Sequence, residues 1–253
     1  GEQIELIIKP TTVPPAFLEE FFHGFDKIIL MSGTVFKVHL QELGLLDDTK
    51  DDPWEDVELF QCPSRIHPHR RKIYVDMLNG RKVNYKNLNE SFEHFARYIV
   101  DQVTPRVAGE KGIIHVSSHA QAELLAKLGN QYARGLAREN GGRVAAKFMS
   151  MADRGWKKTF KQFTEAPRGE SLPCIFLIAA RRYEGLDLKD DLARVCIIAK
   201  APFPHTKDTM IQALNAKFPG YTDTQTITSF IQAANRTTRT PEDGSLIIAL
   251  DTN

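Results

Sequence analysis

The chain has 253 residues, of which 42% are hydrophobic and 26% are charged, the composition of an ordinary globular protein. These values exclude a disordered chain, a collagen-like fibre and a coiled coil, and the length corresponds to between one and two domains of about 150 residues. The formal net charge is +1, so an acidic partner such as a nucleic acid must be met by a local basic patch.

The cysteines and the apolar runs indicate a protein of the cell interior. Cys62, Cys174 and Cys196 are too few for a disulfide framework or a four-thiolate metal site. Cys174 and Cys196 lie in apolar runs, and we expect both to be buried. No run reaches the ~18 apolar residues of a membrane span, so we expect a cytoplasmic monomer that does not bind membranes. A start at Gly1 without Met is typical of a piece excised from a longer protein.

Short apolar runs alternate with helical patterns along the chain. Near-continuous aliphatic runs are typical of strands that are buried on both faces, as in a parallel sheet. The predicted strands are residues 4–9, 27–31, 57–62, 112–117, 144–148, 174–179, 195–199 and 246–250. The predicted helices are residues 15–23, 90–103, 119–138 and 223–240. This alternation predicts an α/β fold with a mostly parallel sheet in one domain over residues 1–253, with a helical elaboration at about 65–105.

Polar and turn-forming residues follow four of the predicted strands. Ligands of open parallel sheets bind beyond the carboxyl ends of the strands, so these residues are candidates for a site. They are Ser32-Gly33-Thr34, Ser117-Ser118-His119, Glu184-Gly185-Leu186-Asp187 and Pro202-Phe203-Pro204.

The predicted helix at residues 223–240 has two different faces. An apolar stripe that should face the core consists of Ile227, Phe230, Ile231 and Ala234. The opposite face carries Gln232, Arg236 and Arg239. Guanidinium groups match phosphate oxygens in a bidentate geometry, so this face is a candidate phosphate site. The alternative is an ordinary solvated charged face.

These residues resemble the motifs of superfamily 2 helicases. The run Gln232-Ala-Ala-Asn235-Arg236-Thr-Thr-Arg239, followed by Asp243-Gly244 and a strand ending in Asp251, resembles motif VI (Q-x-x-G-R-x-x-R). Asn235 stands where that pattern has Gly. Motif V of the XPD/DinG branch resembles residues 184–187 with the later Pro-Phe-Pro, motif III resembles residues 29–34, and motif IV resembles residues 111–118.

Four motifs in the family order span residues 28–251, so the chain resembles the C-terminal RecA-like motor domain of an XPD/DinG-type DNA helicase. The resemblance implies that ATP and Mg²⁺ are bound mainly by the N-terminal motor domain of the same protein. It assigns the arginine finger to Arg239 and a second γ-phosphate contact to Arg236. Nucleotide sensing and coupling to DNA fall to Gln232, Glu184, Gly185 and Asp187, although Asp187 can instead form an ion pair with one of the arginines.

Single-stranded DNA, moved with 5′-to-3′ polarity, is the partner that the resemblance implies. The candidate DNA contacts are Ser32, Thr34, Ser117, Ser118, His119, Lys157 and Lys158. The lysines belong to a basic stretch at residues 134–168, in which Trp156, Phe160 and Phe163 either stack on bases or pack a helix. A second basic stretch covers residues 65–86, whereas the acidic residues 42–58 are expected to form a solvated loop.

Two absences in the sequence complete the expectation. No G-x-x-x-x-G-K-[ST] loop is present, so the chain by itself is expected neither to hydrolyse ATP nor to unwind DNA. Three scattered cysteines supply no iron–sulfur cluster. The alternative function is a stand-alone nucleic-acid-binding or regulatory module that kept the motor fold and lost ATPase activity.

Overall fold

The computed structural model describes most of the chain. The described residues are 20, 23–24, 29–30, 34–46, 58, 60, 62–152, 155–180, 186, 188, 192–238 and 240–253. The helices are α1 (Lys37–Glu42), α2 (Leu88–Tyr98), α3 (His119–Glu139), α4 (Trp156–Glu165), α5 (Thr209–Lys217) and α6 (Tyr221–Ala234). The strands are β1 (Arg71–Val75), β2 (Lys111–Val116), β3 (Ala146–Ser150), β4 (Cys174–Ala180), β5 (Val195–Ile198) and β6 (Ser245–Ala249).

The six strands form one sheet in the order β1-β6-β5-β2-β4-β3, and every described pair is parallel. All residues of β2, β4 and β5 are buried, which explains their near-continuous aliphatic sequences. The predicted α/β fold with a mostly parallel sheet is therefore confirmed, and five predicted strands agree with β2 to β6 within two residues at each end.

Helices cover both faces of the sheet. On one face, Phe92 and Phe95 of α2 and Leu125 of α3 pack on the strands in one apolar cluster. On the other face, Phe163 of α4 and Ala233 at the end of α6 pack in a second cluster. Both predicted buried thiols are confirmed, since Cys174 and Cys196 are each 0% exposed.

One glycine, Gly129, and one lysine, Lys111, show how closely the helices pack on the sheet. A Cβ at Gly129 of α3 would lie 2.7 Å from the Phe148 ring, so only glycine allows this approach. The buried ammonium of Lys111 donates to the carbonyls of Phe163 and Thr164 at 3.0 Å and of Ala166 at 3.2 Å. A cation at the last carbonyls of α4 satisfies groups that have no partner within the helix.

The structure differs from the sequence prediction in three segments. Residues 65–105, expected as a helical elaboration, supply α2 but also the unpredicted strand β1. Ile29 and Leu30 lie outside any strand and are 84% and 55% exposed, so the strand predicted at 27–31 is wrong at these positions. Likewise residues 58, 60 and 62 lie outside strands, whereas residues 4–9 and the rest of both segments lie outside the described part of the chain.

The predicted helix at 223–240 is shorter than expected. Helix α6 ends at Ala234 and is followed by a 3₁₀ turn, Asn235–Thr237. Ile227, predicted to face the core, is 49% exposed, whereas Ala233 and Ala234 are buried. Asn235 and the β-branched Thr237 and Thr238 follow the helix, and their low helix propensity weakens its continuation beyond residue 234.

The chain divides into two compact units. One consists of Gly1–Pro63 with Phe203–Thr228, and the other consists of Ser64–Pro202 with Ser229–Asn253 and contains the whole sheet. In the first unit, Val38, Leu214 and Tyr221 form a small core. The assignment of residues 1–253 to one domain stays a prediction, because compact units can be parts of one domain. Within the described residues, no helix is long and apolar enough to cross a membrane.

Candidate functional site

The turn after α6 carries the first of the two predicted phosphate-binding arginines. Arg236 lies in the 3₁₀ turn and is only 9% exposed, so it does not extend the outer face of α6 as predicted. Its guanidinium donates to the carbonyl oxygen of Leu186 at 3.3 Å. A solvated charged face is therefore the wrong interpretation for Arg236. Gln232 is half-buried on α6, and Arg239 lies outside the described residues.

The positive charge of Arg236 also affects the pKa of a histidine at the centre of the sheet. His115 on β2 is completely buried, and this burial, together with the positive charge of Arg236, lowers the pKa of His115 to about 3. The imidazole is therefore neutral at physiological pH. A neutral neighbour adds no second positive charge beside the Arg236 guanidinium, so the buried arginine avoids a like-charge repulsion.

The predicted coupling segment after β4 is only partly described. Glu184, Gly185 and Asp187 lie outside the described residues, so their predicted contacts stay predictions. Leu186 and Leu188 are described, and both are buried in the same apolar cluster as the end of α6. Leu186 is thus packed beside the turn that carries Arg236.

A second turn, at residues 240–243, lies between the predicted arginines and β6. Asp243 is 1% exposed, and its carboxylate accepts a hydrogen bond from the backbone of Thr240 at 2.8 Å. Arg194 lies 3.6 Å from the same carboxylate and donates to the carbonyl of Gly244 at 3.3 Å. The adjacent Asp243 and Gly244 before the last strand therefore form a turn anchored by a neighbouring arginine.

The carboxyl end of β2 presents the predicted motif IV residues. The Ser118 hydroxyl accepts from the backbone of Gln121 at 3.3 Å and so caps the amino end of α3, while the Gln121 side chain accepts from the backbone of Ser117 at 2.9 Å. His119 is exposed in the first turn of α3. Of these three, His119 is the most accessible to a ligand. In the other unit Thr34 is half-buried, and Ser32 lies outside the described residues.

The predicted basic and aromatic stretch resolves into a helix with two faces. Lys157 and Lys158 are exposed at the start of α4, and the Lys157 ammonium lies 6.0 Å from the centre of the Trp156 ring. Phe163 is 0% exposed, and Trp156 and Phe160 are partly buried against the same core. Base stacking by Phe163 is therefore wrong, because a fully buried ring has no face to offer.

The sequence reasoning did not single out the ion pair at the carboxyl ends of β5 and β6. The Asp251 carboxylate is 2.5 Å from the Lys200 ammonium, and it accepts from the backbone of Ala201 at 2.9 Å and of Val83 at 3.1 Å. The side chain of Asp251 is 0% exposed. A signal was present, because an acidic residue that directly follows a buried strand needs a partner.

The described residues provide no metal-binding group. Among them, no three His, Cys, Asp or Glu side chains converge on a point that could hold a metal ion.

Comparison with known proteins matches this arrangement to a family. Residues 106–253, more than half of the chain, match the model of a family described as "Helicase C-terminal domain". A search of curated proteins found no match to the chain. The matched region contains the predicted motifs IV, V and VI. The predicted motif III residues, 29–34, lie before it and are not matched.

Proposed function

This chain belongs to the helicase C-terminal domain family, a family of helicase-type ATP-dependent enzymes, and we propose that it is the second motor domain of an XPD/DinG-type DNA helicase. Its α/β fold with one parallel sheet is RecA-like, as such a motor domain requires. In this proposal ATP binds between the chain and an N-terminal motor domain that supplies the phosphate loop and the Mg²⁺ site. The chain's own contribution is charge that meets the γ-phosphate.

The observation that carries the proposal is the set of contacts made by the described residues on both sides of position 239. Before it, Arg236 is bonded to Leu186 and the Thr238 hydroxyl lies 2.7 Å from the Ser245 hydroxyl. After it, Thr240 is bonded to Asp243. Catalysis of phosphoryl transfer depends on charges held in place before the reaction, and these contacts support Arg239 as the arginine finger.

Arg236 has a second part in the proposal. Its guanidinium has five N–H donors, so it can keep the bond to the Leu186 carbonyl and also contact the γ-phosphate. This shared contact would link the nucleotide to the segment of Glu184, Gly185 and Asp187, which we propose couples ATP to DNA. In this proposal Gln232, in the last turn of α6, senses the nucleotide.

Single-stranded DNA is the proposed second ligand, with 5′-to-3′ movement. His119 at the amino end of α3 and Lys157 and Lys158 on α4 are exposed cationic or polar groups on the sheet-bearing unit. Backbone phosphates are the natural partners of such groups. Ser117, Ser118, Ser32 and Thr34 keep the DNA-contacting roles that the family resemblance implies.

The test is Arg239→Ala in the protein that carries both motor domains. Loss of an arginine finger should lower kcat for DNA-stimulated ATP hydrolysis by roughly 10³- to 10⁵-fold. Binding of a fluorescent single-stranded oligonucleotide should change less than about threefold, since the finger contacts nucleotide. The control is Lys127→Ala, which removes an exposed cation of α3 outside the basic stretch and should leave turnover unchanged.

Unchanged ATP turnover in Arg239→Ala would refute the finger assignment. If ATPase is also absent from the protein with both domains while oligonucleotide binding persists, the chain is instead the stand-alone nucleic-acid-binding or regulatory module. The isolated 253-residue chain gives a further check, because we expect it neither to hydrolyse ATP nor to unwind DNA.

A further inference from the structure

We propose that Arg71 and Asn235 act together as positioning residues for the turn that carries Arg236 and directly precedes the arginine finger. The inference rests on the proposed function, since it assigns the pair to the placement of Arg236 and Arg239. Neither side chain is proposed to touch nucleotide. Their role is to hold the 3₁₀ turn Asn235–Thr237 against the first residues of β1 and β6.

The first observation is a hydrogen bond between distant parts of the chain. The Arg71 guanidinium donates to the side-chain oxygen of Asn235, and both residues are half-buried. Arg71 is the first residue of β1, so its backbone is fixed by the parallel pairing with β6. Asn235 is the first residue of the turn and directly precedes Arg236. A guanidinium donor makes this bond stronger than one between two neutral groups.

The second observation is that the neighbouring strand holds the other end of the same turn. In the sheet register Arg71 lies beside Ser245, and the Ser245 hydroxyl lies 2.7 Å from that of Thr238. The two strand starts therefore hold Asn235 and Thr238, the residues on either side of Arg236 and Thr237. With both ends fixed, the short turn has little freedom to rotate.

The third observation concerns the residue type at position 235. Residues 232–239 resemble motif VI of the helicases, and that motif has glycine at the position of Asn235. Glycine has no side-chain acceptor for Arg71. In this chain the contact exists because asparagine supplies that acceptor. The presence of asparagine instead of glycine at position 235 is thus explained by its bond to Arg71. Arg71 lies on β1, a strand that the sequence pattern did not predict.

The consequence for the reaction follows from geometry. A displacement of about 1 Å in a catalytic group can cost on the order of 10²-fold in rate. Loss of the contact should therefore lower kcat, while KM for ATP should change little because neither residue touches the nucleotide. A residue that only stabilised the fold would instead lower the amount of folded enzyme without a selective effect on kcat.

The experiment compares four variants in the protein with both motor domains: Arg71→Ala, Asn235→Gly, the double variant and Asn235→Asp. We expect each of the first two to lower the kcat of DNA-stimulated ATPase by about 10- to 100-fold, with KM for ATP within about threefold. The double variant should be no worse than either single variant, because the two residues act as one unit. Asn235→Asp keeps an acceptor for Arg71 and should retain most of the activity.

The matched control is Lys72→Ala, which removes an exposed cation from the next position of β1 and should leave kcat unchanged. A readout that needs no ATPase is amide hydrogen exchange of the isolated chain at residues 235–238. Exchange there should be at least tenfold faster in Arg71→Ala and Asn235→Gly than in Lys72→Ala. Equal exchange, or additive losses in the double variant, would overturn the inference.

The Arg239→Ala result separates this inference from the proposed function. If Arg239→Ala abolishes turnover and Arg71→Ala does not reduce kcat, the finger stands and the positioning role is refuted. If Arg239→Ala leaves turnover unchanged, the proposed function has failed, and faster exchange at residues 235–238 then shows only a structural contact. In that case the positioning role is refuted as well.

Discussion

The two edge strands of the sheet, β1 and β3, differ in how much of their surface the described residues bury. On β3, Phe148 is 3% exposed, and the side chain of Asn130 accepts from its backbone nitrogen at 3.0 Å and donates to its carbonyl at 2.8 Å. On β1, by contrast, Ile73, Tyr74 and Val75 are each about half exposed, at 45%, 49% and 55%. One edge is closed by a helix, and the other is left open.

This difference separates stability from positioning. The β3 edge contributes buried apolar area and satisfied backbone groups, which are the main sources of folding free energy. The β1 edge contributes little of either, yet its first residue, Arg71, holds Asn235 beside the arginine turn. We therefore expect substitution of the buried Phe148 on β3 to change stability and substitution of Arg71 on β1 to change turnover.

The largest effect is expected from Phe148→Ala on the closed edge. The ring packs against Phe176 with 5.4 Å between ring centres and lies under Gly129, so its removal leaves a cavity that the helix cannot fill. The free energy of unfolding should fall by about 3–4 kcal/mol, measured by urea unfolding followed by circular dichroism.

The control for Phe148→Ala is its exposed neighbour on β3, Lys147→Ala, which should change the unfolding free energy by less than about 0.5 kcal/mol. If Phe148→Ala is no more destabilising than Lys147→Ala, then β3 is not the closed edge that the structure shows. The comparison between the two edges would fail at its first step.

Asn130→Ala should have the next largest effect. It removes one side chain but leaves both the nitrogen and the carbonyl oxygen of Phe148 without this partner. The expected loss is about 2 kcal/mol, since unsatisfied backbone groups near the core are costly. Gln131→Ala, an exposed substitution one position further along α3, serves as the control. Equal midpoints of urea unfolding for the two variants would show that water replaces the asparagine without cost.

The same contrast explains how much of the fold could be predicted from sequence. Strands β2, β4 and β5 are buried on both faces, so their aliphatic runs stand out from the surrounding sequence. Strand β1 reads Arg-Lys-Ile-Tyr-Val within a basic stretch, and it is a strand because β6 offers it backbone partners. Such tertiary pairing leaves no apolar pattern to find.

The candidate site was predictable in its motifs but not in its contacts. Arg236 and the Asp243-Gly244 turn follow from the resemblance to motif VI, whereas the burial of Arg236 depends on where α6 ends. The Arg71–Asn235 contact joins residues 164 positions apart, and no local pattern encodes it. Helix ends and long-range polar contacts are decided by packing, which periodicity does not contain.

The dependence of stability on pH tests the burial of His115 on β2, a strand in the interior of the sheet. The unfolded chain protonates this imidazole near its ordinary pKa of 6.5, but the folded chain does so only near the lowered pKa of about 3. Between these values the unfolded state binds more protons, so stability falls as the pH is lowered from 6.5. The slope from this one group is at most about 1.4 kcal/mol per pH unit.

The measurement compares urea unfolding of the unmodified chain with His115→Asn at pH 7.5, 6.5, 5.5 and 4.5. The variant should lose less stability on acidification, because it lacks the group whose protonation favours unfolding. His119→Asn, which removes an exposed histidine of α3, should follow the unmodified chain. Parallel curves for His115→Asn would mean that His115 takes up its proton without unfolding.

The smallest effect is expected from Ile73→Ser on the open edge. Since about half of this side chain already meets water, its replacement forfeits roughly half of the 1.5–3 kcal/mol that full burial contributes, so the loss should be about 1 kcal/mol or less. The buried Ile113→Ser on β2, at 0% exposure, should lose several times as much. Because Ile73 lies two positions from Arg71 along β1 and is not one of the proposed positioning residues, ATP turnover should also stay unchanged. If Ile73→Ser is as destabilising as Ile113→Ser, the open edge is covered in solution, and the stability it contributes cannot be separated from its positioning role.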